Sequence, residues 1–186
     1  MTSYIVGVTG TPGVGKSYFA KKLAKKTGWT VIEINDIVKG HKTFSGVDEN
    51  GSMIVDIAAL NKAVKKEINN IKGNGIIIVG HLLQELDIKL DAVVVLRKDI
   101  PTLKNRLEKR GYPKNKIKEN LVSEALDYCG LNSAKKYKNV SEAETDKEIE
   151  TLIKNISKGN LDFKFKGKNK MKDMLIFINK NRDMGI

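Results

Sequence analysis

Residues 10–17, GTPGVGKS, match the spacing G-x-x-x-x-G-K-[ST], which is suited to holding a chain of phosphates. The glycines let the backbone curl so that several N–H groups point inward at phosphate oxygens. The loop follows an apolar run and opens a helical pattern, whose N-terminus adds positive charge. In such a loop Lys16 reaches the β- and γ-phosphates and the Ser17 hydroxyl ligates Mg²⁺. The sequence therefore predicts a nucleoside triphosphate site that includes Gly10, Gly13, Val14, Gly15, Lys16 and Ser17.

The base of the nucleotide is indicated by what the chain lacks. GTP-specific switches usually carry N-K-x-D, whereas residues 61–64 read NKAV and residues 179–182 read NKNR. Neither segment has Asp in the fourth place, so ATP is the favoured nucleotide. Tyr18 follows the loop directly, and its ring either contacts the nucleotide or packs in the core.

Two polar side chains follow predicted strands. Hydrolases with this loop place an Asp at the end of a buried strand, near Mg²⁺. Here the corresponding run, GIIIVG, leads into His81 without a carboxylate. Asp36, after the second strand, is the nearest alternative; it either holds a magnesium-bound water, positions an acceptor phosphate, or caps a helix. His81 either orients water or an acceptor phosphate at the ligand-binding edge of the sheet, or is a loop histidine with structural partners.

Arginines are scarce in this lysine-rich chain, and three of them fall within one short stretch. Arg97 ends a predicted strand, while Arg106 and Arg110 share one face of the following helix. Phosphoryl transfer between two anions requires positive charge over the transferred group, which guanidinium groups supply. The stretch RLEKRGYPKNKIKEN is therefore interpreted as a basic flap that closes on the nucleotide, with a solvated helix face as the alternative.

The elements that would position these residues alternate along the chain. Apolar runs bounded by glycine predict buried strands, and apolar residues spaced by three or four predict helices. Because the strands are apolar on both faces, helices must cover both sides of the sheet. We predict a three-layer, doubly wound α/β domain with a parallel sheet of about five strands. The predicted strands are 4–9, 30–35, 75–80, 90–97 and one near 139–140, the predicted helices are 17–28, 56–73, 99–111, 115–128 and 145–156, and 36–53 is an irregular insert with some helix.

Composition restricts the class of protein. The chain has 186 residues, 40% hydrophobic and 30% charged, which is typical of one globular domain. No apolar run approaches the roughly 18 residues that a membrane span needs, the N-terminus does not resemble a signal peptide, and the single cysteine, Cys129, fits a reducing compartment. We therefore predict a cytoplasmic protein with no membrane partner. The net charge of +12 either attracts RNA or reflects a bias in composition.

The quoted motifs together resemble a known family. The loop GTPGVGKS, the IND turn at 34–36, the GH at 80–81, and VLR at 95–97 followed by RLEKRGY at 106–112 are similar to those of P-loop nucleoside monophosphate kinases. More narrowly, they resemble the nuclear adenylate kinase isoenzyme family, also called coilin-interacting nuclear ATPases, and its archaeal counterparts. The likeness runs from about residue 4 to residue 156.

The resemblance implies an adenylate kinase that converts ATP and AMP into two ADP with Mg²⁺. It also implies slow ATPase activity and a role in small ribosomal subunit maturation, with a small-subunit ribosomal protein and ribosomal precursor RNA as partners. Residues 1–156 would form the kinase core, with an AMP-binding insert at about 35–56 and a lid at about 108–118. We expect the catalytic residues to be Lys16, Arg106, Arg110 and His81, further ATP contacts from Tyr18 and Arg110, and substrate contacts from Asp36, Lys39 and Arg97.

Three features depart from that pattern. Some members of the family have an acidic residue two positions before the strand-end histidine, where this chain has Val79. Lys39 stands where adenylate kinases often have arginine, so a phosphate there would lack the bidentate fork. Residues 157–186 have no counterpart and are rich in lysine; they form either an extra hairpin or helix against the core, or a basic tail, and we expect a basic appendage.

Two functions fit these observations best, ahead of a kinase that acts on a small molecule other than a nucleotide. The first is an adenylate kinase, which needs water excluded by flaps on both sides of the loop. The second is an ATP-driven ribosome assembly factor, in which partner binding and ATP hydrolysis matter more than AMP phosphorylation. The net charge of +12 and the basic C-terminal segment favour the second function.

Overall fold

The computed structural model describes residues 4–49, 51, 53–167 and 170–180. Its centre is a five-stranded sheet in the order β2-β5-β1-β6-β7. Every pair of neighbouring strands is parallel, so the prediction of a doubly wound parallel sheet is confirmed. The five strands are β1 (Tyr4–Thr9), β2 (Thr30–Glu33), β5 (Gly75–Val79), β6 (Ala92–Leu96) and β7 (Val140–Ala143).

Helices cover both faces of this sheet. Alternate residues of the central strands bury their side chains on opposite faces: Ile77 and Val79 pack with Phe19 and Leu23, whereas Ile76 and Ile78 join the other core cluster. The continuous apolar runs of β5 and β6 therefore arise because neither face meets water. The helices are α1 (Lys16–Thr27), α2 (Ile34–Gly40), α3 (Ile57–Asn70), α4 (Ile100–Lys109), α5 (Lys114–Ala125), α6 (Tyr128–Lys136), α7 (Asp146–Ser157) and α8 (Met171–Lys180), and Leu83–Glu85 form a 3-10 turn.

Side-chain caps fix where several of these helices begin. Asp56 accepts a hydrogen bond from the Ala59 N–H at the start of α3, and Asp99 accepts one from the Thr102 N–H at the start of α4. Thr145 and Glu148 form a capping box at the start of α7.

The segment between β2 and α3 is more regular than its sequence predicts. It contains α2 and an antiparallel hairpin, whose strands are β3 (Phe44–Val47) and β4 (Met53–Val55). Short strands with an interrupted register, here between Phe44 and Gly46, leave little periodicity to detect. Helix α6 was also not predicted; its N-cap residue, Asp127, adopts a left-handed backbone conformation (φ 54°).

The C-terminal segment packs against the rest of the molecule as far as it is described. Leu161, Phe163 and Met174 are buried in the same core cluster as α1 and α7. The Lys170 ammonium donates to the Lys98 carbonyl (2.8 Å) and to Glu144 Oε1 (2.6 Å). Residues 168–169 and 181–186 of the expected appendage lie outside the described residues.

Within the described ranges, no helix is both long enough and apolar enough to cross a membrane. Cys129 is buried and has a free thiol.

Candidate active site

The phosphate-binding loop connects β1 to α1 through backbone conformations that only glycine adopts easily. Gly10 has φ +135° and Gly15 has φ +113°. A Cβ atom at Gly10 would lie 2.3 Å from the Leu96 carbonyl oxygen, so this position also needs the space that glycine leaves. The loop is therefore held against the end of β6, directly before the first turn of α1.

Lys16, the first residue of α1, turns its side chain back into the loop. Its Nζ donates to the Gly10 carbonyl (2.7 Å) and to the Thr11 carbonyl (3.1 Å). The pKa of Lys16 is lowered to about 8, mainly because the side chain is buried; the guanidinium of Arg110 contributes to the lowering, whereas Cys129 and Glu33 oppose it. The loop thus holds a cation with little solvation, and such a cation gains most when a phosphate approaches.

A cavity of about 280 Å³ opens over this loop, and we name it the loop cavity. It brings together seven residues that the sequence predicts for the site, from the loop, the end of β5 and the end of α4. These are Gly13, Gly15, Lys16, Ser17, Tyr18, His81 and Arg110. Pro12, Glu33, Asn35, Gly80 and Tyr112 complete its lining.

A second cavity, of about 570 Å³, adjoins the first and is named the insert cavity. It lies between α2, the hairpin strand β4 and α5, and Lys39 lines it. One part of its wall is apolar, and the other part presents polar and cationic side chains. The apolar residues are Val38, Met53, Val55, Ile57 and Leu82, and the polar ones include Lys116, Glu119, Asn120 and Ser123. Four residues line both cavities: Pro12, Asn35, His81 and Tyr112.

His81 stands at the boundary of the two cavities. Burial lowers its pKa to about 4, and the cations Lys16 and Lys116 add to this effect from the two sides. At neutral pH the imidazole is therefore uncharged and can both donate and accept a hydrogen bond. It can orient a phosphate or a water, but it does not supply positive charge.

Three residues predicted for the site line neither cavity and instead support the loop. They are Gly10, Val14 and Arg106. The Arg106 Nη1 donates to the Gly13 carbonyl (3.0 Å) and to the Val14 carbonyl (3.4 Å). The Val14 side chain is buried in the core, and its N–H donates to the Thr11 carbonyl (3.3 Å). These contacts stabilise the backbone conformation of the loop.

Arg97 is placed differently from the prediction. It was expected to bind substrate, but it is 2% exposed and lines neither cavity. Its Nε pairs with Glu124 (2.9 Å), and its Nη1 pairs with Glu142 (2.9 Å) and Asp127 (2.5 Å). A buried guanidinium needs such partners, so Arg97 belongs to an internal ion cluster. Glu124 also accepts a hydrogen bond from the Thr11 hydroxyl (2.7 Å), which connects this cluster to the phosphate-binding loop.

Asp36 is likewise outside both cavities. It lies in the first turn of α2 with its side chain exposed, and it does not cap the helix, because Glu33 occupies the N-cap position. The carboxylate that lines the loop cavity is Glu33, three residues earlier. Asn35, Tyr112 and Lys116 were predicted only as parts of the insert and the lid, and not as individual site residues. Glu33 could have been found from its place at the end of an apolar strand; the other three are positioned by tertiary packing.

The residues present fit a magnesium ion bound together with a nucleotide. The Ser17 hydroxyl and the Glu33 carboxylate both line the loop cavity, and both offer the oxygen ligands that Mg²⁺ prefers. Among the described residues, no group of three or more His, Cys, Asp or Glu side chains could hold a metal alone. Phosphate oxygens would have to complete the site, as is usual for magnesium in enzymes that act on ATP.

The sheet, its loop and the cavities over its carboxyl edge define a P-loop protein of the kinase type. A family model described as an AAA domain matches residues 6–127. A protein of Methanosarcina barkeri named "Putative adenylate kinase" is 34% identical over 165 residues, which cover 84% of this chain and 89% of that protein. A protein of the same name from Methanocaldococcus jannaschii is 36% identical over 152 residues, covering 81% of this chain and 82% of that protein. The chain belongs to this family of archaeal adenylate-kinase-like P-loop proteins and is a nucleotide kinase.

Solved structures agree on the fold. TT1252 from Thermus thermophilus has a TM-score of 0.59 and 14% identity, covering 86% of this chain and 98% of that chain. Shikimate kinase from Bacteroides thetaiotaomicron has a TM-score of 0.52 and 16% identity, covering 83% of this chain and 96% of that chain. At this level of identity, the likeness concerns the α/β kinase fold alone.

Proposed function

We propose that the protein is an adenylate kinase, which transfers the γ-phosphoryl group of ATP to AMP with Mg²⁺ and yields two ADP. The observation that carries this proposal is the pair of adjoining cavities that share Pro12, Asn35, His81 and Tyr112. A hydrolase needs one phosphate site and access for water, whereas transfer between nucleotides needs two sites that meet at the reacting group. The relatives named as adenylate kinases support the same choice of acceptor.

ATP would bind in the loop cavity. Lys16 would leave the loop carbonyls for the β- and γ-phosphates, and Arg110 would place its guanidinium over the transferred group. Bound magnesium, held by Ser17 and the phosphates, would neutralise the charge that develops during transfer. Arg106 would act indirectly, by holding the Gly13 and Val14 carbonyls and so fixing the amides of the loop.

AMP would bind in the insert cavity. Lys39 and Lys116 would attract its phosphate, and the apolar wall on the hairpin side would cover its base. His81 would hold the acceptor phosphate by a hydrogen bond while remaining neutral. Residues 35–56 would thus act as the AMP-binding insert.

Residues 108–118 would act as the lid of the kinase core. They include the end of α4, where Arg110 lines the loop cavity, and the start of α5, where Lys116 lines the insert cavity. Gly111, between the two helices, has φ +71° and open space around it. A small movement at this glycine would bring both cations toward the phosphates and exclude water.

The experiment measures initial rates of ADP formation while ATP and AMP are varied separately. In Lys116→Ala, the KM for AMP should rise by about tenfold, because one charged contact with the AMP phosphate is lost. The KM for ATP should not change. Lys118→Ala is the matched control, since Lys118 lies on the same helix and lines neither cavity. ADP formation at the same rate with and without AMP would refute the proposed kinase reaction.

A second function, an ATP-driven ribosome assembly factor with slow ATPase activity, is favoured by the charge of the chain. The net charge of +12 suits contact with the phosphates of ribosomal precursor RNA. A small-subunit ribosomal protein as partner and a cytoplasmic location belong to this proposal through the family resemblance alone. Its test is binding to a ribosomal RNA fragment at increasing salt: contacts with phosphates give an affinity that falls steeply with salt. An affinity that does not change with salt would contradict this mode of binding.

A further inference from the structure

Strand β5 ends without the carboxylate that enzymes with this loop use near magnesium. In such enzymes an Asp at the end of a buried strand helps to hold the ion. Here β5 lies next to β1, which leads into the loop; it ends at Val79 and is followed by Gly80 and His81. Val79 is completely buried and offers no ligand.

The neighbouring strand places a carboxylate beside this position. Glu33 is the last residue of β2 and pairs in register with Val79. Paired residues of parallel strands point to the same face of the sheet. On this face Val31, Ile77 and Val79 pack with the core cluster that contains α1. Glu33 therefore lies one strand away from Val79, on the side of the sheet where α1 begins.

Glu33 lies at the phosphate site, and its carboxylate is free to bind there. It lines the loop cavity together with Lys16 and Ser17, and its charge raises the pKa of Lys16. Although Glu33 occupies the N-cap position of α2, its side chain makes no capping hydrogen bond. Within the described ranges, no hydrogen bond joins the Glu33 carboxylate to another residue. The carboxylate is therefore available to a ligand.

We infer that Glu33 supplies the carboxylate that holds the magnesium ion of the bound nucleotide, in place of a carboxylate at the end of β5. The inference rests on the proposed function only in requiring that a magnesium nucleotide binds in the loop cavity. The shift of the carboxylate from one strand to the next keeps it at the same level of the sheet, because Glu33 and Val79 are in register. One or two carboxylate oxygens together with phosphate oxygens are a usual ligand set for Mg²⁺.

A simpler role for Glu33 is that of a counter-ion for Lys16, and the two roles predict different results. A counter-ion influences nucleotide binding equally with and without magnesium. A magnesium-holding carboxylate strengthens the binding of the magnesium complex, whereas without the ion it repels the phosphates.

The experiment measures ATP affinity by calorimetry, once with excess Mg²⁺ and once with a chelator. For Glu33→Gln we expect the ratio of the two affinities to fall by about ten- to hundredfold, the usual effect of losing a group that supports a metal. The affinity of metal-free ATP should stay the same or rise. Asp162→Asn, which removes an exposed carboxylate outside both cavities and outside the insert and the lid, is the control and should keep the ratio of the wild type.

A second variant tests the register argument. In the Glu33→Gln background, Val79→Asp returns a carboxylate to the end of β5, and the ratio should recover. Because Val79 is buried, circular dichroism and binding of metal-free ATP must first show that this variant folds. A folded double variant without recovery would overturn the argument from register. The spectroscopic signal of manganese bound with ADP is an independent readout. This signal should differ from that of the wild type in Glu33→Gln, but not in the control variant.

An unchanged ratio of affinities in Glu33→Gln would overturn the inference outright. The outcome does not depend on the acceptor: a protein that fails to phosphorylate AMP, but loses its magnesium-dependent ATP affinity in Glu33→Gln, would refute the proposed function and support this inference.

Discussion

Raising the pH should weaken ATP binding, because the loop holds Lys16 with a pKa of about 8. Only the protonated side chain brings a positive charge to the phosphates, so the apparent affinity scales with the protonated fraction in the free protein. That fraction is nearly complete at about pH 6.5, about one half at pH 8 and about one tenth at pH 9. The apparent affinity should therefore fall by about tenfold between roughly pH 7 and pH 9.

The sign of the effect follows from burial. Burial disfavours the charged form of Lys16, and the phosphates of ATP favour it, so binding must take up a proton where the free lysine has lost one. The other groups near the cavity with shifted pKa values keep their charge in this range, since the pKa of His81 is about 4 and that of Cys129 is about 11. The change in affinity should thus report on Lys16.

Calorimetry in buffers of different ionisation enthalpy measures both the affinity and the proton uptake. We expect uptake of about half a proton at pH 8 and a tenfold loss of affinity by about pH 9. Lys16→Arg is the control, because a guanidinium stays protonated over this range. The ATP affinity of this variant should therefore be the same from pH 7 to pH 9, even if it differs from that of the wild type. A wild-type affinity that is constant from pH 7 to pH 9, without proton uptake, would refute the account of Lys16.

Four further predictions address other parts of the molecule. Arg110→Ala should lower kcat by at least about tenfold, the loss of one charge-stabilising donor, while exposed Lys109→Ala should not; equal rates would exclude Arg110 from catalysis. Lys16→Ala should abolish ADP formation, and normal turnover would contradict the assignment of the loop. Arg97→Met should lower the free energy of unfolding in urea by about 3–5 kcal/mol, since it leaves buried carboxylates uncompensated, and a loss below about 1 kcal/mol would argue against the ion cluster. In an NMR titration the His81 ring should protonate with a midpoint of about 4; a midpoint near 6.5 would show that it is neither buried nor close to the two lysines.

The parts of the fold that could be predicted are those with a strong local signal. The apolar runs of β1, β5 and β6 are continuous because both faces of the sheet are covered, and the glycines before Lys16 follow a fixed spacing. The hairpin β3–β4 was missed because strands of three or four residues show too little alternation. The insert cavity could not be predicted either, since it forms only when this hairpin faces α5.

Arg97 and Asp36 show what determines the role of a charged residue at the end of a strand. The sequence correctly indicates that both follow strands, but the partners of Arg97 come from positions 27 to 45 residues away, at Glu124 and Glu142. Their convergence is a property of the packed structure and leaves no local pattern. For Asp36 the error has a different origin: β2 ends at Glu33 and α2 begins at once, so the carboxylate that enters the cavity comes three residues earlier than expected.

The most direct test of the two-site account follows the acceptor itself. AMP carrying a label in its adenine ring is incubated with unlabelled ATP, Mg²⁺ and the protein, and the labelled nucleotides are separated over time. We predict labelled ADP from the first turnovers, formed at the rate at which ATP is consumed. If ATP is consumed while the label stays in AMP, phosphate goes to water, and the insert cavity is not the site of a phosphoryl acceptor.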